Sequence, residues 1–281
     1  MSKPVVFITG INSFVGSHLA TYLKDRGYKV KGSLSSLSKR SQVESITQDL
    51  TEIKLGKIVL HESIPDDAEV IIYMAHDKNN AQSNINANKQ IYEIGSQKSC
   101  QYHLFISSIS ADTSNFTDYG QVKLKLEKFF STKSNSAVIR PGLIIGNGGL
   151  FFNMKNFVKN NFFIPLPDGG KYPMAVIEIE NLSQAFEKLI EKRSHGVFNI
   201  YNTELISLNE IVKKIARIFD KKIIIITVPV GMTLRFFGFF QWILKLLNIK
   251  NKFNIDSITG YRLYKDLKLP PSDLDSLLKD K

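Results

Sequence analysis

The sequence predicts an α/β fold, a doubly wound parallel sheet with a smaller C-terminal lobe, on three observations. Short apolar runs alternate with longer segments of helical period, the pattern of parallel strands joined by crossover helices. The chain opens on an apolar strand that breaks at a glycine and continues into a helix. Its 281 residues exceed the usual size of one domain, and the rhythm changes after Pro141.

Val5-Val6-Phe7-Ile8-Thr9 is the first strand. Gly10 lets the backbone turn sharply, Ser13 stands where a second glycine is common, and Gly16 lets the next helix lie close to the strand. That helix runs until Gly27 stops it. Such a turn offers free N–H donors and the positive end of a helix dipole, which suits a pyrophosphate. The candidate contacts are Thr9, Gly10, Asn12, Ser13, Phe14, Val15 and Gly16. Further strands are expected over 29–33, 57–60, 70–74, 103–107 and 137–140, with crossover helices over 84–99 and 119–131. Past Pro141, Gly146-Asn147-Gly148-Gly149 reads as a loop, 151–163 as an amphipathic helix and 165–170 as a second loop. A strand over 175–179, a helix over 181–192, a strand over 196–200 and a helix over 208–219 follow. The expected division is a dinucleotide-binding unit over 1–145 completed by 175–200, and a substrate-binding lobe from 146–174 and 201–281.

Composition narrows the function classes. The single cysteine, Cys100, excludes an internal disulfide framework and, lying before an apolar strand, is expected to be structural. Met1-Ser2-Lys3-Pro4 leads straight into the first strand, so no secretory leader is expected and the expected compartment is cytoplasmic. The net charge of +11 suits an anionic ligand, but the lysines are scattered and predict no nucleic-acid partner. No metal site is expected.

Ordered along the chain are Thr9-Gly10 to Gly16, Asp49-Leu50, Ala75 at a strand end, Asn86 near a helix start and Ser107-Ser108 at another strand end. Tyr119 to Lys123, Arg140-Pro141-Gly142 to Gly146, Ile177-Glu178-Ile179-Glu180-Asn181-Leu182 and Gly196-Val197-Phe198-Asn199-Ile200 continue the series. In this order the chain resembles the extended short-chain dehydrogenase/reductases, in particular the nucleotide-sugar epimerase, reductase and dehydratase branch, over nearly its whole length. The resemblance implies a Rossmann-type fold, a nicotinamide dinucleotide with Asp49 and Leu50 beside its adenine, and Asn86 supporting the helix and water chain behind Lys123. It also implies a homodimer through the tyrosine-bearing helix, where Val122, Leu124, Leu126, Phe129 and Phe130 supply apolar surface.

Thirty lysines and ten tyrosines give about one tyrosine followed by a lysine four residues on by chance, and three occur, at Tyr119/Lys123, Tyr261/Lys265 and Tyr264/Lys268. Only Tyr119 opens a helix after a serine-ended strand. Hydride removal from a carbinol carbon requires the hydroxyl proton to leave, and a tyrosine accepts it if its pKa falls from about 10 toward neutrality. The Lys123 charge lowers it, and Ser108 would hydrogen-bond the same oxygen. The expected catalytic residues are therefore Ser108, Tyr119 and Lys123.

Departures from the family pattern refine the expectation. Eleven positions separate Ser108 from Tyr119, fewer than is usual, and Ile109-Ser110 lacks the acidic pair that a 4,6-dehydratase would need. Leu143 and Met174 replace an asparagine and a basic residue common in the family, leaving Asn153, Lys155 and Lys171 as substitute phosphate contacts; Ser108, Asn153 and Lys171 are the substrate-binding candidates. At the second strand's end Leu34 occupies the place of an acid that would bind the ribose, and Ser35, Ser36, Lys39 and Arg40 follow, so NADP is favoured over NAD. In the apolar stretch 234–247, Arg235, Gln241 and Lys245 argue against a membrane span, since a charge at the bilayer centre costs roughly 2.5 kcal/mol or more. A helix packed inside the lobe is expected there, with weak peripheral membrane contact as the second reading. The expected function is an NAD(P)-dependent C4 epimerase or 4-keto reductase of a nucleotide-linked sugar, by analogy with members acting in surface-polysaccharide synthesis. The alternative is a non-catalytic dinucleotide-binding protein of the same fold.

Overall fold

Seven parallel strands form the central sheet of the computed structural model, which describes residues 3–77, 80–109, 111, 118–229 and 269–279. They are β1 (Val5–Thr9), β2 (Lys29–Leu34), β3 (Leu50–Glu52), β4 (Val70–Tyr73), β5 (Tyr102–Ile106), β6 (Ser136–Pro141) and β11 (Gly196–Ile200), in the order β11-β6-β5-β4-β1-β2-β3. β4 and β5 are buried along their whole length, as strands covered by helices on both faces must be. Side-chain alternation sends Val6 and Ile8 to one face and Phe7 to the other. On the first face α1 (Phe14–Asp25) and α5 (Ile179–Lys192) add Leu19, Leu23, Leu182 and Phe186, and α7 (Leu274–Leu278) adds Leu274. On the second, α2 (Ala81–Gln97) and α3 (Asp118–Ser131) contribute Ile91, Leu126 and Phe130. Each such side chain contributes on the order of 1.5–3 kcal/mol on full burial, before conformational entropy is set against it.

The strand order reverses at β1 and β4, and in an open parallel sheet the crevice beyond the carboxyl ends of such strands is where a ligand sits. Thr9 pairs in register with Tyr73, and Tyr73 with Phe105. The segments that follow, Gly10, Ala75-His76 and Ser107-Ser108, therefore lie side by side along one edge.

A third apolar cluster lies among α4 (Gly149–Asn160), β8 (Phe163–Pro167) and α6 (Leu208–Ile218), with Met154, Val158, Ile164, Leu166, Ile211 and Ile215 at its centre. β7 (Leu143–Ile145) pairs in parallel with β10 (Val176–Glu178), and β9 (Pro173–Met174) in antiparallel with β12 (Ile206–Ser207).

Three expectations are corrected. The stretch 57–60 is not a strand: Ile58 and Leu60 are exposed, and the outer partner of β2 is β3, with Gly32 opposite Leu50. The helix expected over 151–163 ends at Asn160, where Asn161 turns extended, and the loop expected over 165–170 begins inside β8. Pro165 and Pro167 suggested a loop; β8 is an edge strand, where a missing N–H is tolerated, and it pairs with β13 (Ile224–Val228). The stretch 234–247 and the pairs at Tyr261 and Tyr264 lie outside the described residues. Among the described residues no helix is long and apolar enough to cross a membrane.

Beneath α2, the Tyr73 hydroxyl lies 2.8 Å from Nδ1 of His103, and Ser96 Oγ lies 3.3 Å from Nε2. Burial pushes the His103 pKa down from 6.5 to about 3, and the Cys100 thiol up to about 12, which keeps that thiol protonated and unreactive. Below pH 6.5 the unfolded chain takes up a proton at His103 that the native chain refuses. Stability therefore falls by up to about 5 kcal/mol as the pH drops from 6.5 toward 3, and this effect is absent above pH 6.5. His103→Gln should flatten this acid limb in urea titrations run at a series of pH values; an unchanged slope contradicts the assignment.

Candidate active site

The turn after β1 is fixed from three sides. Thr9 Oγ1 accepts from the amides of Met74 and Ala75 at 3.0 and 3.2 Å, tying the ends of β1 and β4 together. Gly10 has φ 64°, and a Cβ there would lie 2.9 Å from Ala75 Cα. Its amide donates to Ser33 Oγ at 3.3 Å. Ser13 takes over the second glycine's place with ordinary extended angles, φ −69° and ψ 160°, and its Oγ accepts from the Gly16 amide at 3.1 Å as the helix N-cap. The amides of Phe14 and Val15, in the first turn of α1, have no acceptor within the helix and stand at its positive end. A Cβ at Gly16 would lie 2.7 Å from Ser13 Oγ and 2.8 Å from the Gly10 carbonyl, so the helix can start this close to the strand only with glycine there. This cradle fits a dinucleotide pyrophosphate. Phe14 packs into the loop after β7, where a side chain on Gly146 or Gly148 would collide with its ring.

The ribose side differs from the expectation at one residue. Leu34 is fully buried in the core and faces away from the edge, so the first exposed position after β2 is Ser35, whose Oγ accepts from Lys39 Nζ at 2.9 Å. An acid is present that the sequence reading did not place there: Glu52, opposite Leu34 in register, accepts from the Leu37 amide at 3.0 Å. Asp49 is exposed and its carbonyl accepts from Gly32, just before Leu50 begins β3. Asn12 donates to Gln42 at 2.9 Å.

On the other side of Ala75 stands the tyrosine helix. Lys123, 5% exposed, donates from Nζ to the Ile106 carbonyl at 2.7 Å, and its ammonium lies 5.7 Å from the centre of the Tyr119 ring one turn earlier. Burial pushes the Lys123 pKa down to about 8, and the ammonium also faces the Phe105 ring at 4.9 Å. Ser108 follows two residues after Ile106 and is half-buried. The His76 ring meets the Tyr119 ring edge to face, with centroids 5.0 Å apart.

One turn beyond Lys123, Glu127 is buried and binds two strands at once. It accepts from Ser107 Oγ at 3.0 Å and from Arg140 Nε at 2.8 Å, and a second guanidinium nitrogen of Arg140 bonds its other oxygen. Lys123 and Glu127 thus hold the end of β5 against α3, while Arg140 ties in β6.

Asn86 is corrected. It is exposed on α2 and accepts from Gln82 at 2.7 Å, because it sits about 200° around the helix from the buried face of Asn84, Asn88 and Ile91. Asn84 and Asn88 are the buried ones, and Asn84 accepts from the Asp77 amide at 2.8 Å and donates to the Asp77 carbonyl at 2.6 Å. Asn153 is exposed on α4, Lys155 lies over the Phe219 ring, and Lys171 is exposed beside Tyr172. Met174 and Leu143 belong to the third apolar cluster. The helical phase of 84–95 was legible and points to Asn84; nothing in the sequence singles out His76, and the Glu127–Arg140 pair is a tertiary contact.

Glu127→Ala removes the buried carboxylate that pairs with Arg140 and accepts from Ser107, and should cost roughly 3–5 kcal/mol of stability in urea titrations. A loss below about 1 kcal/mol would mean the pair does not hold α3 in place.

The comparisons agree with this geometry. Residues 6–102 match the model of the NAD dependent epimerase/dehydratase family. No curated protein matches the chain. Among solved structures, UDP-N-acetylglucosamine 4-epimerase from Methanobrevibacter ruminantium M1, in complex with UDP-N-acetylmuramic acid, is 17% identical with TM-score 0.68, over 82% of this chain and 86% of its own. MoeE5 in complex with UDP-glucose and NAD is 18% identical with TM-score 0.65, over 80% and 85%. UDP-N-acetylglucosamine 4-epimerase from Bacillus cereus is 13% identical with TM-score 0.66, over 96% and 99%. At these identities the likeness is one of fold. From β1 to the start of β5 the chain is therefore similar to the NAD dependent epimerase/dehydratase family, and its fold is the Rossmann-like fold of these solved structures.

Proposed function

We propose that the chain is an NAD(P)-dependent oxidoreductase of a nucleotide-linked sugar, a C4 epimerase or a 4-keto-sugar reductase, with Tyr119 as acid/base. The observation that carries this is the Lys123 ammonium, buried, anchored on the Ile106 carbonyl and one turn from Tyr119, at the same sheet edge as the Gly10 turn. In the oxidative direction Tyr119 accepts the proton of the sugar hydroxyl, Lys123 stabilises the phenolate, and Ser108 holds the sugar oxygen in line. In the reductive direction Tyr119 returns the proton to the same oxygen. The nicotinamide dinucleotide, when bound, supplies the hydride acceptor or donor, and Gly10 to Gly16 hold its pyrophosphate.

We assign 1–145 with 175–200 to the dinucleotide and 146–174 with 201–281 to the sugar, with Asn153 and Lys171 as phosphate contacts of the substrate. Ser35 and Lys39 support NADP; Glu52 at the end of β3, and the NAD bound to MoeE5, favour NAD as the second reading. For a homodimer through α3, Leu124 and Phe129 remain half-buried, while Val122, Leu126 and Phe130 are taken up by the core.

Tyr119→Phe should lower turnover of UDP-glucose or UDP-N-acetylglucosamine, or reduction of a dTDP-4-keto sugar, by about 10²–10⁴-fold with dinucleotide affinity unchanged. Undiminished turnover contradicts the mechanism. Mass spectrometry of the dinucleotide released on denaturation separates the reactions: retained NAD marks an epimerase, and an empty chain that consumes NADPH marks a reductase.

A further inference from the structure

His76 belongs to neither the pyrophosphate turn nor the Ser108, Tyr119 and Lys123 set, yet its ring is set against the tyrosine. The two ring planes meet at 84° with centroids 5.0 Å apart, the edge-to-face geometry in which the positive rim of one ring meets the negative face of the other. Its backbone is held on both sides. Ala75, just before it, donates to Thr9 Oγ1 and stands against Gly10; Asp77, just after it, is held through both amide and carbonyl by the buried Asn84. A segment pinned at both flanking residues presents its side chain in a fixed place.

Lys123 and His76 are thus neighbours of the Tyr119 ring of different kinds. Lys123 lies 5.7 Å from the ring centre and supplies charge from α3; His76 supplies a second ring, perpendicular to the phenol, from the end of β4. We infer that His76 is a positioning residue for Tyr119, fixing the plane of the phenol ring so that its oxygen points at the reacting hydroxyl. By occupying the space beside the ring it also keeps water from screening the Lys123 charge. This inference rests on the reading of Tyr119 as acid/base.

The test compares His76→Ala and His76→Phe with the parent chain. His76→Ala should lower kcat about tenfold with KM changed less than about twofold, because only the alignment of the proton transfer suffers. His76→Phe keeps a ring in the same place and should restore most of kcat. A second readout needs no substrate: the ultraviolet ionisation of Tyr119, taken as the difference between each chain and its Tyr119→Phe counterpart. It should move up by about half a pH unit or more in His76→Ala, toward the ordinary tyrosine value. Parent kcat and an unmoved tyrosine titration in His76→Ala overturn the inference, as does His76→Phe no better than His76→Ala. If Tyr119→Phe itself turns over substrate normally, the proposed function fails first; if it is inactive and His76→Ala behaves as the parent, only the present inference fails.

Discussion

The grip of one helix on two strand ends is the constraint on which the candidate site depends. Tyr119 and Lys123 are placed by α3, which packs through Val122, Leu126 and Phe130 and is set in register by two polar contacts one turn apart: Lys123 on the Ile106 carbonyl, and Glu127 on Ser107 and Arg140. A buried ion pair of this kind adds little net stability over a well-packed apolar pair, but removing one partner is costly. Such a pair suits a place where register matters more than stability, because shifting α3 by one residue would break all these contacts at once. The same contacts fix Ser108, since the two residues before it are the ones held.

The rest of the site follows from strand order. With β1, β4 and β5 adjacent and about 4.8 Å apart, the Gly10 turn, the Ala75-His76 segment and the Ser107-Ser108 segment occupy three neighbouring places on one edge. Gly10 and Thr9 link the first place to the second, and Asn84 fixes the second from below. The anion cradle and the proton-transfer group proposed for this edge would thus come from different elements of a single sheet.

Much of this was legible in the sequence. β1 and β11 lie where their apolar runs put them, residue for residue, and the Tyr119–Lys123 spacing found its helix. Where the reading failed, a phase or a tertiary contact decided. Asn86 stood as the candidate near the helix start, and the phase set by Ile85, Ile91 and Gly95 turns it outward while Asn84 and Asn88 face inward. Val30, Gly32 and Leu34 share one side of β2, so period-two alternation already turned Leu34 into the core. The run at 57–60 has strand composition, but the place beside β2 is taken by β3. His76, Glu52 and the Glu127–Arg140 pair depend on contacts between elements distant in sequence, which no local pattern encodes.

The central claim is that the Gly10 turn and the Tyr119–Lys123 helix face serve one hydride transfer. The most direct measurement is the nicotinamide absorbance of the dinucleotide-loaded chain, followed through a single turnover after rapid mixing with sugar nucleotides. The account predicts that the reduced-nicotinamide band changes within one turnover in the parent chain, and that in Tyr119→Phe it stays constant while the sugar nucleotide still binds. A band that never changes with any bound sugar nucleotide, or one that changes equally in both chains, would contradict it.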